Sequence, residues 1–173
     1  ITKNKIGGNA KAMVVTGSRL HAVRYYFEFE KYIKKMGYKN ELGILIAFSG
    51  TIVDGGEEYT EVGINKIKES ELPEKFSSGN YQVLLVAEKY QTGFDEPLLH
   101  TMFVDKKLSG VKAVQTLSRL NRTCFGKEDT FVLDFVNTAE DIQASFLPYY
   151  EESIIQETTD ANIMYDLKIK LDE

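Results

Sequence analysis

The sequence predicts an α/β domain in which a mainly parallel central sheet is covered by helices on both faces. Five short segments are continuously apolar, as expected of strands that are buried on both sides. Helix-length segments separate most of these strands, a pattern typical of parallel strands joined by crossover helices. The chain has 173 residues, of which 43% are hydrophobic and 27% are charged. This is the composition of one globular domain with a substantial core.

The strands are predicted from apolar runs and from the turn or cap residues that follow them. The first run ends in Gly17-Ser18, which is typical of a helix cap. The second run gives way to Gly50-Thr51 and then to an acidic loop over residues 54–58. The five strands are predicted at residues 12–16, 42–49, 81–87, 101–104 and 130–136.

Helices are predicted from apolar residues at helical spacing. The first would end at Gly37, a plausible C-cap, and its apolar face would consist of Ala22, Tyr26, Phe29, Ile33 and Met36. The others are predicted within 64–79, where Pro73 would break a short helix from its connector, at 111–124, and at 138–147, ending near Pro148.

The two ends of the chain are predicted to lie outside the domain, which we assign to residues 11–150. Residues 1–10 are polar and contain glycine, so we interpret them as a frayed lead-in; residues 151–173 are interpreted as a tail. Because the chain starts at Ile1 without a methionine, we expect it to be a piece of a longer polypeptide.

Composition excludes several classes of protein. The formal net charge of −5 argues against a protein that coats polyanions through a broad basic surface. A single cysteine, Cys124, excludes an internal disulfide framework and is consistent with a cytoplasmic protein. No apolar run approaches the roughly 18 residues that a membrane span needs. His21 and His100 have no neighbours at metal-ligand spacing, so no metal site is predicted.

Residues 115–122 (QTLSRLNR) are the most informative stretch. On a helix, Gln115, Arg119 and Arg122 would project from one face, which suits an anion with several oxygens. The opposite face would seat the helix on the core, and it would consist of Ala113, Leu117, Leu120 and Cys124. The alternative is an ordinary amphipathic helix with a solvated arginine edge.

Polar clusters follow several of the predicted strands. In parallel sheets ligands bind at the carboxyl ends of the strands, and we expect four clusters to meet there. They are 17–19 with Ser18 and Arg19, Ser49-Gly50, the turn 92–95, and the arginine helix. Each has a plainer alternative: Ser18 could be only an N-cap beside a solvated Arg19, and Asp95 could accept from a ribose hydroxyl or an arginine, or merely cap a neighbour in a tight turn.

A phosphate-binding loop is not present in the sequence. Hydrolysis of a nucleoside triphosphate requires a loop of the form G-x-x-x-x-G-K-[ST], but Gly126-Lys127 is followed by Glu128 and lacks the upstream glycine. If Arg119 and Arg122 neutralise a γ-phosphate, the loop that holds it must belong to another domain, and the arginines would reach across a cleft.

Two motifs with a fixed separation resemble a known family. A strand, then T-G-F-D-E-P (92–97), then about twenty residues to Q-T-L-S-R-L-N-R (115–122), then a strand with an aspartate, resembles motifs V and VI of superfamily 2 helicases. The match is closest to the second RecA-like domain of the motor (R) subunit of type I restriction–modification enzymes, and residues 14–19 match motif IV less sharply. The resemblance covers about 11–150 and departs from the wider superfamily at Ser118 and Glu88.

The resemblance implies a RecA-like three-layer α/β/α fold and a role for each motif. Arg119 and Arg122 would contact the triphosphate of ATP and act as catalytic arginine fingers, and Gln115 would couple hydrolysis to movement. Gly93 and Asp95 would lie at the nucleotide cleft. The residues implied near the DNA backbone are Ser18, Arg19, Ser49, Gly50 and Thr92.

The resemblance also implies partners. ATP and Mg²⁺ would be bound mainly by a preceding RecA-like domain, so this chain alone is expected to hydrolyse no ATP. Double-stranded DNA, a methyltransferase subunit and a specificity subunit would be the partners of the whole enzyme, and the tail would lead to a helical region. Two alternatives stay open: another superfamily 2 enzyme, or a self-contained flavodoxin-like module that binds a nucleotide or a partner.

Overall fold

The structure is a computed structural model that describes residues 5–38, 41–90 and 94–158, with only the backbone described for 150–158. Seven strands and five α-helices lie within these residues. In chain order they are β1 (Lys11–Thr16), α1 (Arg19–Met36), β2 (Ile44–Ala47), β3 (Thr51–Asp54), β4 (Glu57–Thr60), α2 (Glu61–Asn65), α3 (Leu72–Ser77), β5 (Val83–Val86), β6 (Leu99–Asp105), α4 (Gly110–Leu117), β7 (Phe131–Asp134) and α5 (Ala139–Thr158).

Five of the strands form one sheet in the order β2-β5-β1-β6-β7. Every pair of neighbours in it is parallel. Helices cover both faces, so the predicted three-layer α/β/α class with a parallel sheet is confirmed. Because the strands are parallel, all of their carboxyl ends lie at one edge of the sheet and all of their amino ends at the opposite edge.

Two hydrophobic clusters fill the space between the sheet and its helices. On one face α1 packs over the strands through a cluster of Val14, Ala22, Val23, Ile33, Ile44, Ile46, Phe48, Leu85 and Ala87. On the other face α3, α4 and α5 pack over a larger cluster that includes Met13, Leu72, Phe76, Leu84, Met102, Ala113 and Leu120. These contacts hold the strand ends, and hence the loops that follow them, in fixed positions.

Helix α1 begins and ends at its predicted caps. The Ser18 hydroxyl accepts a hydrogen bond from the His21 amide at 3.1 Å. Gly37 adopts φ 76°, and its amide donates to carbonyls of the last turn. Two members of the predicted apolar face, Phe29 and Met36, are exposed instead of buried.

The acidic loop predicted at 54–58 is wrong, because these residues belong to a β-hairpin. Strands β3 and β4 pair antiparallel, and Asp54 pairs with Glu57. Gly55 and Gly56 form the two-residue turn with φ of 63° and 88°. Two consecutive left-handed residues are favoured in such turns because their twist matches that of the strands, and glycine adopts them without a steric penalty.

Both proline predictions are also wrong. Pro73 lies in the first turn of α3, where the missing amide hydrogen costs nothing, so it starts this helix instead of breaking it. Pro148 lies inside α5, which continues to Thr158. An internal proline removes one hydrogen bond of a helix, and the rest of the helix can persist on either side.

Residues 5–10 of the predicted lead-in pack against the domain. Ile6 and Ala10 are 9% and 0% exposed, and Ile6–Gly8 form a short 3₁₀ helix. The Lys5 ammonium donates to Asp129 at 2.7 Å. The expectation of a frayed segment is therefore wrong for residues 5–10.

No described helix is sufficiently long and apolar to cross a membrane.

Strand β2 lies at the end of the sheet, and the side chain of Asn65 pairs the backbone of Ile46 on its outer side. The Asn65 amide donates to the Ile46 carbonyl at 2.7 Å, and its Oδ1 accepts from the Ile46 amide at 3.0 Å. Asn65 thus makes the two hydrogen bonds that a further strand would make, which protects the edge against pairing with another chain.

We expect Asn65→Ala to lower the free energy of unfolding by about 1–3 kcal/mol, because it leaves two backbone groups of Ile46 without partners. Urea denaturation of the chain measures the change. The control is Asn80→Ala at an exposed position, which should shift the value by less than about 0.5 kcal/mol. Equal effects of the two substitutions would contradict the edge-pairing role.

Candidate functional site

The predicted site residues lie at two opposite edges of the sheet. Arg19 and Ser49 follow the carboxyl ends of β1 and β2. Asp95 instead lies four residues before Leu99, the first residue of β6, and therefore at the amino edge. The prediction that four polar clusters share the carboxyl edge is wrong, because successive parallel strands require the chain to return to the amino edge between them.

The segment between β5 and β6 makes this return. Its residue Phe94 is 7% exposed, and its ring lies 5.9 Å from that of Phe76 and 4.8 Å from that of Tyr90. These contacts anchor the far end of the segment on the core. Thr92 and Gly93 lie outside the described residues, so their predicted roles stay predictions.

The arginine stretch is not one helix. Helix α4 ends at Leu117, residues 118–121 form a 3₁₀ helix, and Arg122 is extended with φ −65° and ψ 129°. In a continuing helix the carbonyls of Leu120 and Arg122 would accept from amides four residues later. Here both accept from the Lys127 ammonium, at 2.7 Å and 2.6 Å. The predicted helical face is therefore wrong.

Arg119 is half-buried against the segment between β5 and β6, which we call the crossing segment. Its Nη1 donates to the Phe94 carbonyl at 2.7 Å. Its Nε is buried and has no hydrogen-bond partner among the described residues. Burial lowers the pKa of the guanidinium, and the nearby charge of Arg122 lowers that pKa further. Arg119 thus has one hydrogen bond to the backbone and, within the described part of the chain, a buried Nε that lacks an acceptor.

Arg122 forms an exposed ion pair with Asp95. Its Nε lies 3.0 Å from Asp95 Oδ1, and the two side chains are 62% and 66% exposed. A ribose hydroxyl, an arginine and a neighbouring group in a tight turn were the predicted alternatives for Asp95, and the structure shows the arginine. Such pairs are weak because water competes for both charges, so Arg122 can exchange its partner at little cost.

Glu96, which the sequence analysis did not single out, has the opposite environment to its neighbour Asp95. It is 3% exposed, and its carboxylate accepts from the Ser77 hydroxyl at 2.6 Å and from the Leu98 amide at 3.1 Å. One of the two adjacent carboxylates is buried and fixes the segment, and the other is exposed in its ion pair with Arg122. Charge alone could not distinguish them in the sequence.

Gln115 and Cys124 take no part in the two arginine contacts. Gln115 is exposed on α4. Cys124 lies beyond the helix and is partly exposed, with its Sγ 3.5 Å from the Pro97 carbonyl. Its predicted place on a buried helical face is wrong, because the helix ends before it.

The carboxyl edge joins the ends of β1 and β2. Arg19 Nη1 donates to the Ser49 carbonyl at 2.8 Å. Gly50 has φ 77°, and a Cβ there would lie 3.1 Å from Arg19 Nη1, so both its backbone and this contact favour glycine. Ser18 acts as the N-cap, as its plainer alternative predicted, while Arg19, Ser49 and Gly50 stay exposed.

A buried charge cluster next to this edge was also missed. Glu61 is 2% exposed and accepts from the Phe48 amide and the Lys89 ammonium, both at 2.8 Å. Burial raises the pKa of Glu61, and its hydrogen bond with Lys89 opposes that rise. Lys89 lies between Glu88 and Tyr90, which have φ of 60° and 61°. Non-glycine residues in this region are strained, and such strain is frequent at functional sites.

We expect Asp95→Ala and Glu96→Ala to differ in their effect on stability. Loss of the exposed pair at Asp95 should change the free energy of unfolding by less than about 1 kcal/mol. Loss of Glu96 should cost about 1–3 kcal/mol, since it leaves the groups that it binds without their acceptor. Urea denaturation of the two variants tests this, and a larger loss for Asp95→Ala would contradict the assignment.

Comparisons with known proteins identify the family. The family described as type I restriction enzyme subunit R, domain 3, matches residues 53–137. The type I restriction enzyme HindI endonuclease subunit of Haemophilus influenzae is 28% identical over 148 residues, which is 82% of this chain and 14% of that protein. A protein of Methanocaldococcus jannaschii assigned as the MjaIXP type I restriction endonuclease subunit is 29% identical over 167 residues, or 95% of this chain and 15% of the relative.

Among solved structures, the C-terminal domain of the DEAD-box protein Dbp5 aligns with a TM-score of 0.48 and 15% identity, over 79% of this chain and 70% of that one. The chain spans about one seventh of the length of the restriction enzyme subunits that it matches. It shares with them the region that carries the Asp95 turn and the two arginines. The chain belongs to the family of type I restriction enzyme R subunits.

Proposed function

We propose that the chain is the second RecA-like motor domain of a type I restriction enzyme R subunit, an ATP-dependent translocase of double-stranded DNA. In this proposal a preceding motor domain holds ATP and Mg²⁺. Arg119 and Arg122 reach across the cleft and stabilise the negative charge that develops as the γ-phosphate leaves. Movement of the two motor domains would then translocate DNA until the enzyme cleaves it.

The observation that carries the proposal is the state of Arg122. It projects from an irregular segment at the amino edge, it is mostly exposed, and its described ion pair is the exposed one with Asp95. A phosphate offers a guanidinium the same paired oxygens as a carboxylate, with more negative charge. Arg122 can therefore pass from Asp95 to a phosphate without rearrangement of the core.

The charge of Arg119 supports the same function. The two guanidiniums are close enough for Arg122 to lower the pKa of Arg119. Two neighbouring cations repel each other, and a triphosphate between or beside them would remove that repulsion. The unused Nε of Arg119 would also gain an acceptor if the loop shifted toward the nucleotide.

The sequence of this chain is also consistent with an ATP site that is shared between two domains. No phosphate-binding loop of the form G-x-x-x-x-G-K-[ST] occurs in the 173 residues. Mg²⁺ requires carboxylate or hydroxyl ligands beside the phosphates, which the preceding domain would mainly supply. This chain would contribute cations that become effective only when the two domains close.

We assign DNA contact to the opposite, carboxyl edge. Arg19, Ser49 and Gly50 are exposed there, next to Ser18, and Thr92 is the further DNA contact that the sequence resemblance implies. Small residues allow close approach of a phosphate backbone, and Arg19 supplies charge. The crossing segment begins beside this edge at Lys89 and ends at Asp95, so it is the covalent connection between the DNA contacts and the ATP contacts. The methyltransferase and specificity subunits are the proposed partners of the whole enzyme.

We expect Arg122→Ala in the full-length protein to lower DNA-stimulated ATP hydrolysis by about 10³-fold or more, the scale of an arginine finger. Affinity for ATP and the melting temperature should stay nearly unchanged, because Arg122 is exposed and the preceding domain holds most of the nucleotide. Steady-state kinetics, nucleotide binding and thermal melts are measured together. Lys112→Ala, at an exposed position on α4, is the control and should keep wild-type activity.

A loss of ATP affinity by a comparable factor in Arg122→Ala, or a clear fall in its melting temperature, would contradict the finger role and indicate a structural one.

A further inference from the structure

Lys127 makes three hydrogen bonds that join the two halves of the arginine site. Its ammonium donates to the carbonyls of Leu120 at 2.7 Å, Arg122 at 2.6 Å and Pro97 at 3.2 Å. A lysine ammonium has three N–H groups, so each of them has an acceptor. Lys127 therefore has no donor left for a phosphate.

The acceptors belong to the two segments that carry the exposed ion pair. Leu120 and Arg122 lie in the segment after α4, and Pro97 lies two residues after Asp95. Lys127 thus fixes the backbone of Arg122 relative to the backbone near its partner. The hydrogen bond from Arg119 Nη1 to the Phe94 carbonyl also joins the two segments, but among the described contacts it is Lys127 that holds the Arg122 carbonyl itself.

A tight turn directs Lys127 back toward these carbonyls. The Lys127 amide donates to the Cys124 carbonyl at 3.2 Å. Gly126 has φ 79°, a conformation that glycine adopts without the steric penalty of a side chain. The turn therefore reverses the direction of the chain, and the Lys127 side chain reaches the carbonyls of Leu120 and Arg122.

The environment of the ammonium is suited to this role. Burial lowers the pKa of Lys127, and Cys124 and Glu96 act in the opposite direction. The three carbonyl dipoles around the ammonium favour its charged form, because hydrogen bonds to a charged group are stronger than those between neutral groups. The same three carbonyls would be left with fewer partners if the lysine were removed.

We propose that Lys127 is a positioning residue that holds the backbone of Arg122 in the extended conformation from which its guanidinium reaches the nucleotide. The positioning itself follows from the hydrogen bonds of this chain. Its consequence for ATP hydrolysis rests on the proposed function of Arg122.

The test compares Lys127→Met with Lys112→Met in the full-length protein. Methionine keeps the length and the aliphatic stem of lysine but removes all three donors. We expect DNA-stimulated ATP hydrolysis by Lys127→Met to show a kcat that is about 10–100-fold lower, the scale of a small misplacement of a catalytic group. The KM for ATP should change less than about threefold, and Lys112→Met should behave as wild type.

Hydrogen exchange of backbone amides, followed by mass spectrometry, supplies a readout that does not depend on activity. We expect exchange in residues 118–126 of Lys127→Met to rise at least about tenfold, because the loop loses its anchor. A residue that served only general stability would instead lower the melting temperature and raise exchange throughout the domain, and that result would overturn the proposal. Wild-type kcat together with wild-type exchange would overturn it as well.

A second variant keeps the test decisive if Lys127→Met does not fold. Lys127→Arg keeps the charge, but a planar guanidinium cannot direct three donors to the same converging carbonyls. We expect its kcat to fall about tenfold with a melting temperature close to that of wild type, and an unchanged kcat would overturn the proposal. If exchange rises in a Lys127 variant while Arg122→Ala hydrolyses ATP normally, the positioning role stands and the arginine-finger function fails.

Discussion

The position of the site depends on the chain crossing from the carboxyl edge to the amino edge of the sheet between β5 and β6. Both strands are parallel, so the chain leaves β5 at the carboxyl edge and must enter β6 at the amino edge. The chain between the two strands makes that crossing, and three anchors hold its described end near β6: the buried ring of Phe94, the carboxylate of Glu96, and the Pro97 carbonyl that accepts from Lys127. The position of Asp95 follows from these anchors.

The crossing also separates two kinds of chemistry. Exposed small residues and Arg19 lie at the carboxyl edge, and the arginine pair lies at the amino edge, so nucleic acid and nucleotide would bind on opposite sides of one sheet. A movement near the arginine pair would be transmitted to the carboxyl edge through the short crossing segment. That segment starts at Lys89, which is held by Glu61 and flanked by strained residues. We expect the buried ion pair of Glu61 and Lys89 to restrict movement of the crossing segment.

The sequence was sufficient for the sheet and for α1, because these elements depend on local signals. Continuous apolar runs mark the strands: β1, β2, β5 and β6 are buried as expected, whereas β7 at the edge of the sheet is exposed. Ser18 and Gly37 mark helix ends through their own backbone preferences. The β-hairpin could also have been predicted. Gly55-Gly56 lies between two short segments of mixed polar and apolar residues, which is a sequence signal for a hairpin turn. Pro73 begins α3 instead of breaking a helix, because proline is favoured in the first turn of a helix.

The local structure of the site could not be predicted for a different reason. Residues 115–122 have helical spacing, but α4 ends at Leu117, and the carbonyls of Leu120 and Arg122 beyond it accept from the Lys127 ammonium instead of from helical amides. Whether Asp95 or Glu96 is buried depends on Ser77, which is distant in sequence. Such contacts exist only after the chain has folded, and no periodicity records them.

The most direct measurement is a structure of the full-length protein with ADP and a fluoride analogue of the transferring phosphoryl group. We predict that the Arg122 guanidinium has left Asp95 and lies within hydrogen-bonding distance of the analogue, while Lys127 keeps its contacts with the carbonyls of Leu120 and Arg122. An Arg122 that remains paired with Asp95 while other side chains neutralise the analogue would contradict the account.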